Sequence, residues 1–117
     1  MLVLIVDDIE DNRVILNRIV QKLGFETRQF EDGTEVVAYC QNNNIDNVGC
    51  IFMDIRMPQM DGLTASKVIR ELGYSKTLVA VTANRIGDDE EVGVFDAIEK
   101  KPISITIIQG HLDIKSA

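Results

Sequence analysis

Cys50-Ile51-Phe52-Met53-Asp54-Ile55-Arg56-Met57-Pro58-Gln59-Met60-Asp61-Gly62 is the stretch on which the reading of this chain turns. An apolar run ends at a single carboxylate, Asp54, and a loop containing Pro58 follows at once. Two other runs end similarly: Leu2-Val3-Leu4-Ile5-Val6 at Asp7-Asp8, and Leu78-Val79-Ala80-Val81 at Thr82. Continuous apolar runs of this length read as strands buried on both faces, the mark of a parallel sheet. Parallel strands all point one way, so these polar ends gather on one edge. Asp54 is therefore a candidate nucleophile at that edge, among groups able to hold a metal and a phosphoryl group.

Outward from this strand (Val48–Met53), the spacing predicts an alternation of strands and helices. Asn12–Leu23 carries Val14, Ile15, Ile19 and Leu23 at helical spacing, and Gly24 is a natural stop. Phe25–Phe30 reads as a short strand, polar enough to sit at a sheet edge. Asp32-Gly33-Thr34-Glu35 resembles a capping box opening a second helix through Val36, Val37 and Tyr39, which fades in the polar run Gln41–Asn44. Leu63, Val68, Ile69 and Leu72 predict the buried face of a third helix ending at Gly73, and Thr77–Thr82 a fourth strand. Ala83–Gly93 is polar and acidic with only Ile86 and Val92 to bury, so any helix there is short. Val94–Ile98 reads as a fifth strand. Ile103–Leu112 has helical spacing, although its β-branched residues would also suit a strand. The sum is a (βα)5 pattern, with right-handed crossovers placing helices on both faces of the sheet.

At 117 residues the chain is expected to form one domain (1–117) with a single core, and no repeat or linker divides it. Its net charge of -7 argues against nucleic-acid and anionic-membrane surfaces, which need clustered Lys and Arg. Cys40 and Cys50 lack metal-site spacing and fit reduced thiols, hence a cytoplasmic setting. No apolar stretch is long enough to span a membrane. The first strand starting directly after Met1 is compatible with a piece of a longer chain.

If Asp7, Asp8 and Asp54 meet at one edge, their charges must be answered. Two carboxylates about 4 Å apart repel by roughly 4 kcal/mol at an effective dielectric near 20. Three require protonation or a divalent cation, and an all-oxygen donor set suits Mg²⁺, with Mn²⁺ as the other fit. A carboxylate attacking phosphorus faces charge repulsion, which a metal offsets. Thr82 can offer a hydroxyl donor and Lys101 an ammonium to the remaining phosphoryl oxygens.

Asp7-Asp8, Asp54 with Met57-Pro58 and Asp61-Gly62, Thr82, and Lys101-Pro102, in this order after successive strands, resemble a two-component response-regulator receiver domain. The resemblance covers nearly the whole chain. Asn12-Arg13 and Lys22-Leu23-Gly24 are similar to receivers attached to hybrid sensor histidine kinases. The resemblance implies a doubly wound, flavodoxin-like three-layer sandwich. It implies Mg²⁺ held by the Asp8 and Asp54 carboxylates and the backbone carbonyl of Arg56, with Asp7 acting through the metal's waters. Asp54 would accept phosphate from a phosphohistidine on a histidine kinase or histidine phosphotransfer protein. Thr82 and Lys101 would contact the phosphoryl group, Lys101-Pro102 would be cis, and the face around the fourth helix and fifth strand would change its partner affinity. Such a module catalyses its own phosphorylation and dephosphorylation without being an enzyme acting on a diffusible substrate. Oligomeric state, kinase and output stay open.

Three departures from the family pattern stand out. Nineteen positions separate Thr82 from Lys101, about three fewer than the family usually has, which implies a shortened fourth helix. Ile98 stands where the family commonly has a switching aromatic, and Phe95 lies too early to replace it. Arg56 and Asn84 occupy the positions that tune phosphoryl lifetime in the family. Other readings remain beside these. Asp7-Asp8 and Thr82 suit helix caps, Asp54 a turn before Pro58, and Lys101 a solvated lysine beside Lys100. His111 reads as a helix-end surface residue, Met53, Met57 and Met60 as core or loop filling, and Asp88-Asp89-Glu90-Glu91 as a solvated helix start. A degenerate receiver serving only as a docking surface, or a small Mg²⁺-dependent phosphatase passing through an aspartyl-phosphate, are the alternatives. The second lacks an acid/base aspartate two residues beyond Asp54.

Overall fold

The computed structural model describes residues 1–83 and 93–116, and side chains through 112. Five strands form one sheet: β1 (Leu2–Val6), β2 (Glu26–Phe30), β3 (Val48–Asp54), β4 (Thr77–Thr82) and β5 (Ala97–Lys100). Their spatial order is β2-β1-β3-β4-β5, and each neighbouring pair is parallel. All residues of β1, β3 and β4 are buried, as continuous apolar runs require of strands covered on both faces. β2 is mostly exposed and lies at an edge, as its polar composition predicts.

The alternation of side chains along the strands divides the core into two layers. Leu4, Val6, Ile51, Met53, Leu78 and Ala80 pack under α2 (Gly33–Asn42) and α3 (Gly62–Glu71), against Val36, Val37, Ala65 and Ile69. Val3, Ile5, Phe52, Val79 and Val81 pack on the other face against Leu16 and Val20 of α1 (Glu10–Lys22) and Ile108 and Leu112 of α4 (Ile105–Ser116). This is the expected doubly wound, three-layer arrangement. The last segment is helical despite its β-branched residues, because Ile108 and Leu112, one helical turn apart, reach the same core.

Local chemistry sets the helix ends. Asp32 Oδ1 accepts from the Glu35 backbone N–H at 2.9 Å, and Glu35 Oε1 reaches back to the Glu31 N–H, so the capping box forms one residue out of register on its return side. Gly24 and Gly73 follow α1 and α3 with φ of 96° and 103°, the left-handed stop reserved for glycine.

Three expectations change. The buried stripe of α1 is Leu16 and Val20 with Arg13 and Asn17, whereas Ile15 is 58% exposed. Apolar residues cover more of this helix than the sheet can bury, and the fit to Val3 and Ile5 selects among them. On α3 the buried residues are Gly62, Ala65, Ser66 and Ile69; Leu63 and Val68 pack partly buried against the core as expected, whereas Leu72, just past the helix, is exposed. β5 begins at Ala97 rather than Val94, because Phe95 turns into the core and Asp96 is held by β4 and Arg70. The short fourth helix expected within Ala83–Gly93 falls on residues 84–92, outside the described residues, as do Asn84 and the Asp88-Asp89-Glu90-Glu91 run.

Candidate functional site

Sheet register brings the acidic residues together. Val6 pairs with Met53, so Asp7, the residue after β1, comes abreast of Asp54 at the end of β3. Asp54 in turn pairs with Val81 and Thr82 with Lys100. The Lys101 N–H donates to the Thr82 carbonyl at 2.9 Å, continuing the ladder one step past β5, and the Lys101-Pro102 peptide is cis as the resemblance implies. Lys101 Nζ lies 2.8 Å from Asp7 Oδ2 and 3.3 Å from Asp54 Oδ2. Asp7, Asp8 and Asp54 each present an oxygen within 4.8 Å of the others. The lysine that reaches the site is Lys101; Lys100 is exposed.

Each side chain has a local reason for its place. Asp7 Oδ1 accepts from the Ile9 N–H at 2.9 Å, and the Asp7 N–H donates to the Phe30 carbonyl at 3.1 Å. With Oδ2 on Lys101, both oxygens of Asp7 are engaged. Asp8, one residue on, is exposed. Behind Asp54 the loop through Arg56 and Pro58 is closed by the Gly62 N–H on the Ile55 carbonyl at 2.8 Å and the Gly33 N–H on the Met60 carbonyl at 3.2 Å. A Cβ on Gly62 would lie 1.9 Å from the Asp54 carbonyl oxygen, so only glycine allows the strand end and α3 to approach this closely. Asp61 caps α3, its Oδ1 accepting from the Thr64 N–H at 2.8 Å. The Asp61-Gly62 pair therefore builds the floor of the site. Arg56 sits in the loop after Asp54 with an exposed side chain. Thr82 is buried at the end of β4.

The electrostatics are unbalanced. Burial, then the charge of Asp7, pushes the Asp54 carboxyl up to about 7, against the opposing pull of Lys101. Burial alone would pull Lys101 down, but its hydrogen bond to Asp7 and the charges of Asp54 and Asp7 outweigh it and hold the ammonium above the ordinary lysine value. Among the described residues, the Lys101 ammonium pairs with two of the three clustered carboxylates, Asp7 and Asp54. An all-oxygen cluster this tight, with a carboxylate already forced toward protonation, fits a hard divalent cation.

Sequence reasoning missed Arg13. On a helix it reads as a solvated residue, yet it is buried, and its Nη1 donates to the Asp7 carbonyl at 2.9 Å. The Asn12-Arg13 pair carries a family resemblance, but nothing along the chain names the Asp7 carbonyl as its partner. His111 is also more than a surface residue. Its Nε2 lies 2.7 Å from Glu99 Oε2, and its ring meets Phe52 edge-on at 6.4 Å. Phe95 is a core residue and Ile98 is 43% exposed, so neither stands as an aromatic switch beside Thr82. Beside the site a cavity of about 290 Å³ is lined by Asp7 and Lys101 together with Ile15, Leu16, Ile19 and Pro102.

A five-stranded, doubly wound parallel sheet with these acids and a lysine gathered at its carboxyl edge is the arrangement that the receiver resemblance implies. Residues 3–110 match the response regulator receiver domain, and the chain belongs to that family. It is 30% identical over 117 residues to the sensor histidine kinase RcsC of Escherichia coli (strain K12), a match covering 97% of this chain and 12% of that protein. It is 34% identical over 109 residues to two-component response regulator 24 of Arabidopsis thaliana, covering 88% of this chain and 75% of that one. The chain thus spans about an eighth of the kinase it matches. The response regulator protein TrrA of Thermotoga maritima, solved in complex with Mg(2+)-BeF, shares the fold with a TM-score of 0.86 at 23% identity, covering 97% of each chain. This chain is a receiver domain of two-component signalling.

Proposed function

We propose that Asp54 accepts a phosphoryl group from a phosphohistidine on a histidine kinase or histidine phosphotransfer protein, and that the modified domain signals through altered protein contacts. The observation that carries this is Lys101 Nζ held between Asp7 and Asp54, at 2.8 and 3.3 Å, with Asp8 beside them. The likeness to a sensor histidine kinase adds the reading that the domain serves a hybrid kinase or its relay.

In the transfer, an Asp54 carboxylate oxygen attacks phosphorus, the P–N bond to the donor imidazole breaks, and that nitrogen recovers a proton. Asp54 must be ionised to attack, and burial beside Asp7 works against this. The Asp8 and Asp54 carboxylates and the Arg56 backbone carbonyl would hold Mg²⁺, which when bound would supply positive charge that favours the ionised form and offsets the charge of the phosphoryl oxygens. Asp7, with both oxygens engaged, adds charge at one remove and fixes Lys101. Lys101 turns toward the incoming phosphoryl oxygens, and the Thr82 hydroxyl donates to another. The chain then acts on no diffusible substrate, and its work lies on the cytoplasmic side of signalling. Among the described residues no helix is long and apolar enough to cross a membrane.

Incubation with acetyl phosphate and Mg²⁺, followed by intact mass, tests the reading. One phosphoryl adduct that needs Mg²⁺ and disappears in Asp54→Asn is expected. A folded chain that takes no adduct would be a docking surface only, and turnover of many donor equivalents would make it a phosphatase.

A further inference from the structure

Asp8 is the exposed member of the acidic cluster. Asp7 is fixed through both carboxylate oxygens and its N–H, whereas Asp8 is exposed. Beyond its side-chain hydrogen bond with Asp54, its direction depends on the peptide that joins it to Asp7. The carbonyl of that peptide is the group Arg13 holds, through Nη1 at 2.9 Å in a buried contact. The Arg13 side chain is only 10% exposed, and its Nη2 lies 3.8 Å from Oε1 of Glu31, a side chain 68% exposed. Burying an arginine costs several kcal/mol unless its donors are matched, and a loose pair with an exposed glutamate offsets little of that. The strong contact is the one to the Asp7 carbonyl. Arg13 also lies one helical turn from Ile9, whose carbonyl accepts the Arg13 N–H at 3.0 Å. One residue thus ties both ends of the turn that carries the acidic pair.

We propose that Arg13 is a positioning residue: by pinning the Asp7–Asp8 peptide it presets the Asp8 carboxylate toward Asp54 for the divalent cation. The inference rests on the phosphoacceptor reading. It has a sign that a purely electrostatic role would reverse. Arg13 is a cation near a cation site, so if only its charge mattered, neutralising it would tighten Mg²⁺ binding. If it positions Asp8, neutralising it weakens Mg²⁺ binding although repulsion falls.

The test is the Mg²⁺ dissociation constant of the 117-residue chain, read from amide shifts of Asp8 and Asp54 in an NMR titration, for wild type, Arg13→Lys and Arg13→Gln. The expected order of affinity is wild type, then Lys at least twofold weaker, then Gln at least fivefold weaker, with folded spectra throughout. Phosphorylation by acetyl phosphate should recover in Arg13→Gln at saturating Mg²⁺, separating apparent affinity from maximal rate. Unchanged or tighter Mg²⁺ binding by Arg13→Gln overturns the proposal, as does a lowered urea midpoint with an unchanged dissociation constant. Should Arg13→Gln fail to fold, Arg13→Lys decides alone, and a wild-type constant there overturns it. Wild-type protein that binds no Mg²⁺ overturns the cation site itself and this role with it, an outcome distinct from a change confined to the variants.

Discussion

The two rims of the sheet use the same chemistry to opposite ends. At the amino rim Arg70, near the end of α3, donates through Nε to the Val94 carbonyl and through Nη1 to those of Tyr74 and Lys76, at 2.8–3.0 Å. Its Nη2 lies 3.1 Å from Asp96 Oδ2, which also accepts the Leu78 N–H at 2.8 Å. The guanidinium lies over the Tyr74 ring, 5.5 Å from its centre. One cation meets one carboxylate, and three carbonyls take its other donors. At the carboxyl rim, among the described residues, three carboxylates cluster, the Lys101 ammonium pairs with Asp7 and Asp54, and Asp54 is pushed toward protonation. The closed set holds the chain together, while the clustered acids are the set that the proposed cation binding and phosphorylation would use. Imbalance, more than the presence of charge, marks the working end.

Breaking each rim should therefore give different symptoms. The largest effect is expected at Lys101. Lys101→Met should slow phosphorylation of Asp54 by roughly a hundredfold, the usual cost of removing one preorganised charge-stabilising donor, as read by intact mass over time. Arg70→Ala should instead cost about 2–4 kcal/mol of stability, since it strands three carbonyls and a carboxylate. A urea melt checks this, and phosphorylation at a temperature where the variant is folded should match wild type. If Arg70→Ala slowed phosphorylation while leaving stability intact, the contrast between the rims would fail.

The pH dependence sharpens the same contrast. Asp54 is raised from an ordinary value of 3.8 to about 7 in the folded chain. A raised carboxyl favours the protonated native state, so its contribution is complete below about pH 4 and is lost as pH rises through about 7. Without divalent cations, wild type should lose on the order of 4 kcal/mol relative to Asp54→Asn between pH 4 and pH 8. Excess Mg²⁺ should shrink that loss, and paired urea melts would show it. The smallest effect is expected away from both rims. His111→Gln should cost about 0.5–1.5 kcal/mol by removing the contact to Glu99, with phosphorylation unchanged.

Much of this was legible along the chain, and the reason differs by feature. The strands could be read because β1, β3 and β4 are buried on both faces, so their apolar runs are unbroken and local. Asp7, Asp8, Asp54, Thr82 and Lys101 could be read because each stands at or just beyond a strand end, where a parallel sheet leaves no choice of edge. Asp61-Gly62 was legible as a motif, but its physical cause, the approach of the Asp54 carbonyl to Gly62, was not. The buried side of α1 was misread because its apolar residues exceed one stripe, and only contact with Val3 and Ile5 picks Leu16 and Val20 over Ile15. The start of β5 was misplaced because Arg70, 26 residues before Asp96, holds that turn.

Sequence by itself thus determined the order of the described strands and helices, the doubly wound class and which residues stand at the carboxyl edge, since all three follow from periodicity and chain direction. Tertiary structure alone decided that Lys101 bridges Asp7 and Asp54, that Arg13 turns inward to the Asp7 carbonyl, and that His111 meets Glu99. The physical reason is that a buried polar side chain takes the partner that packing brings to it, and that partner lies on another element, at a separation no local pattern records.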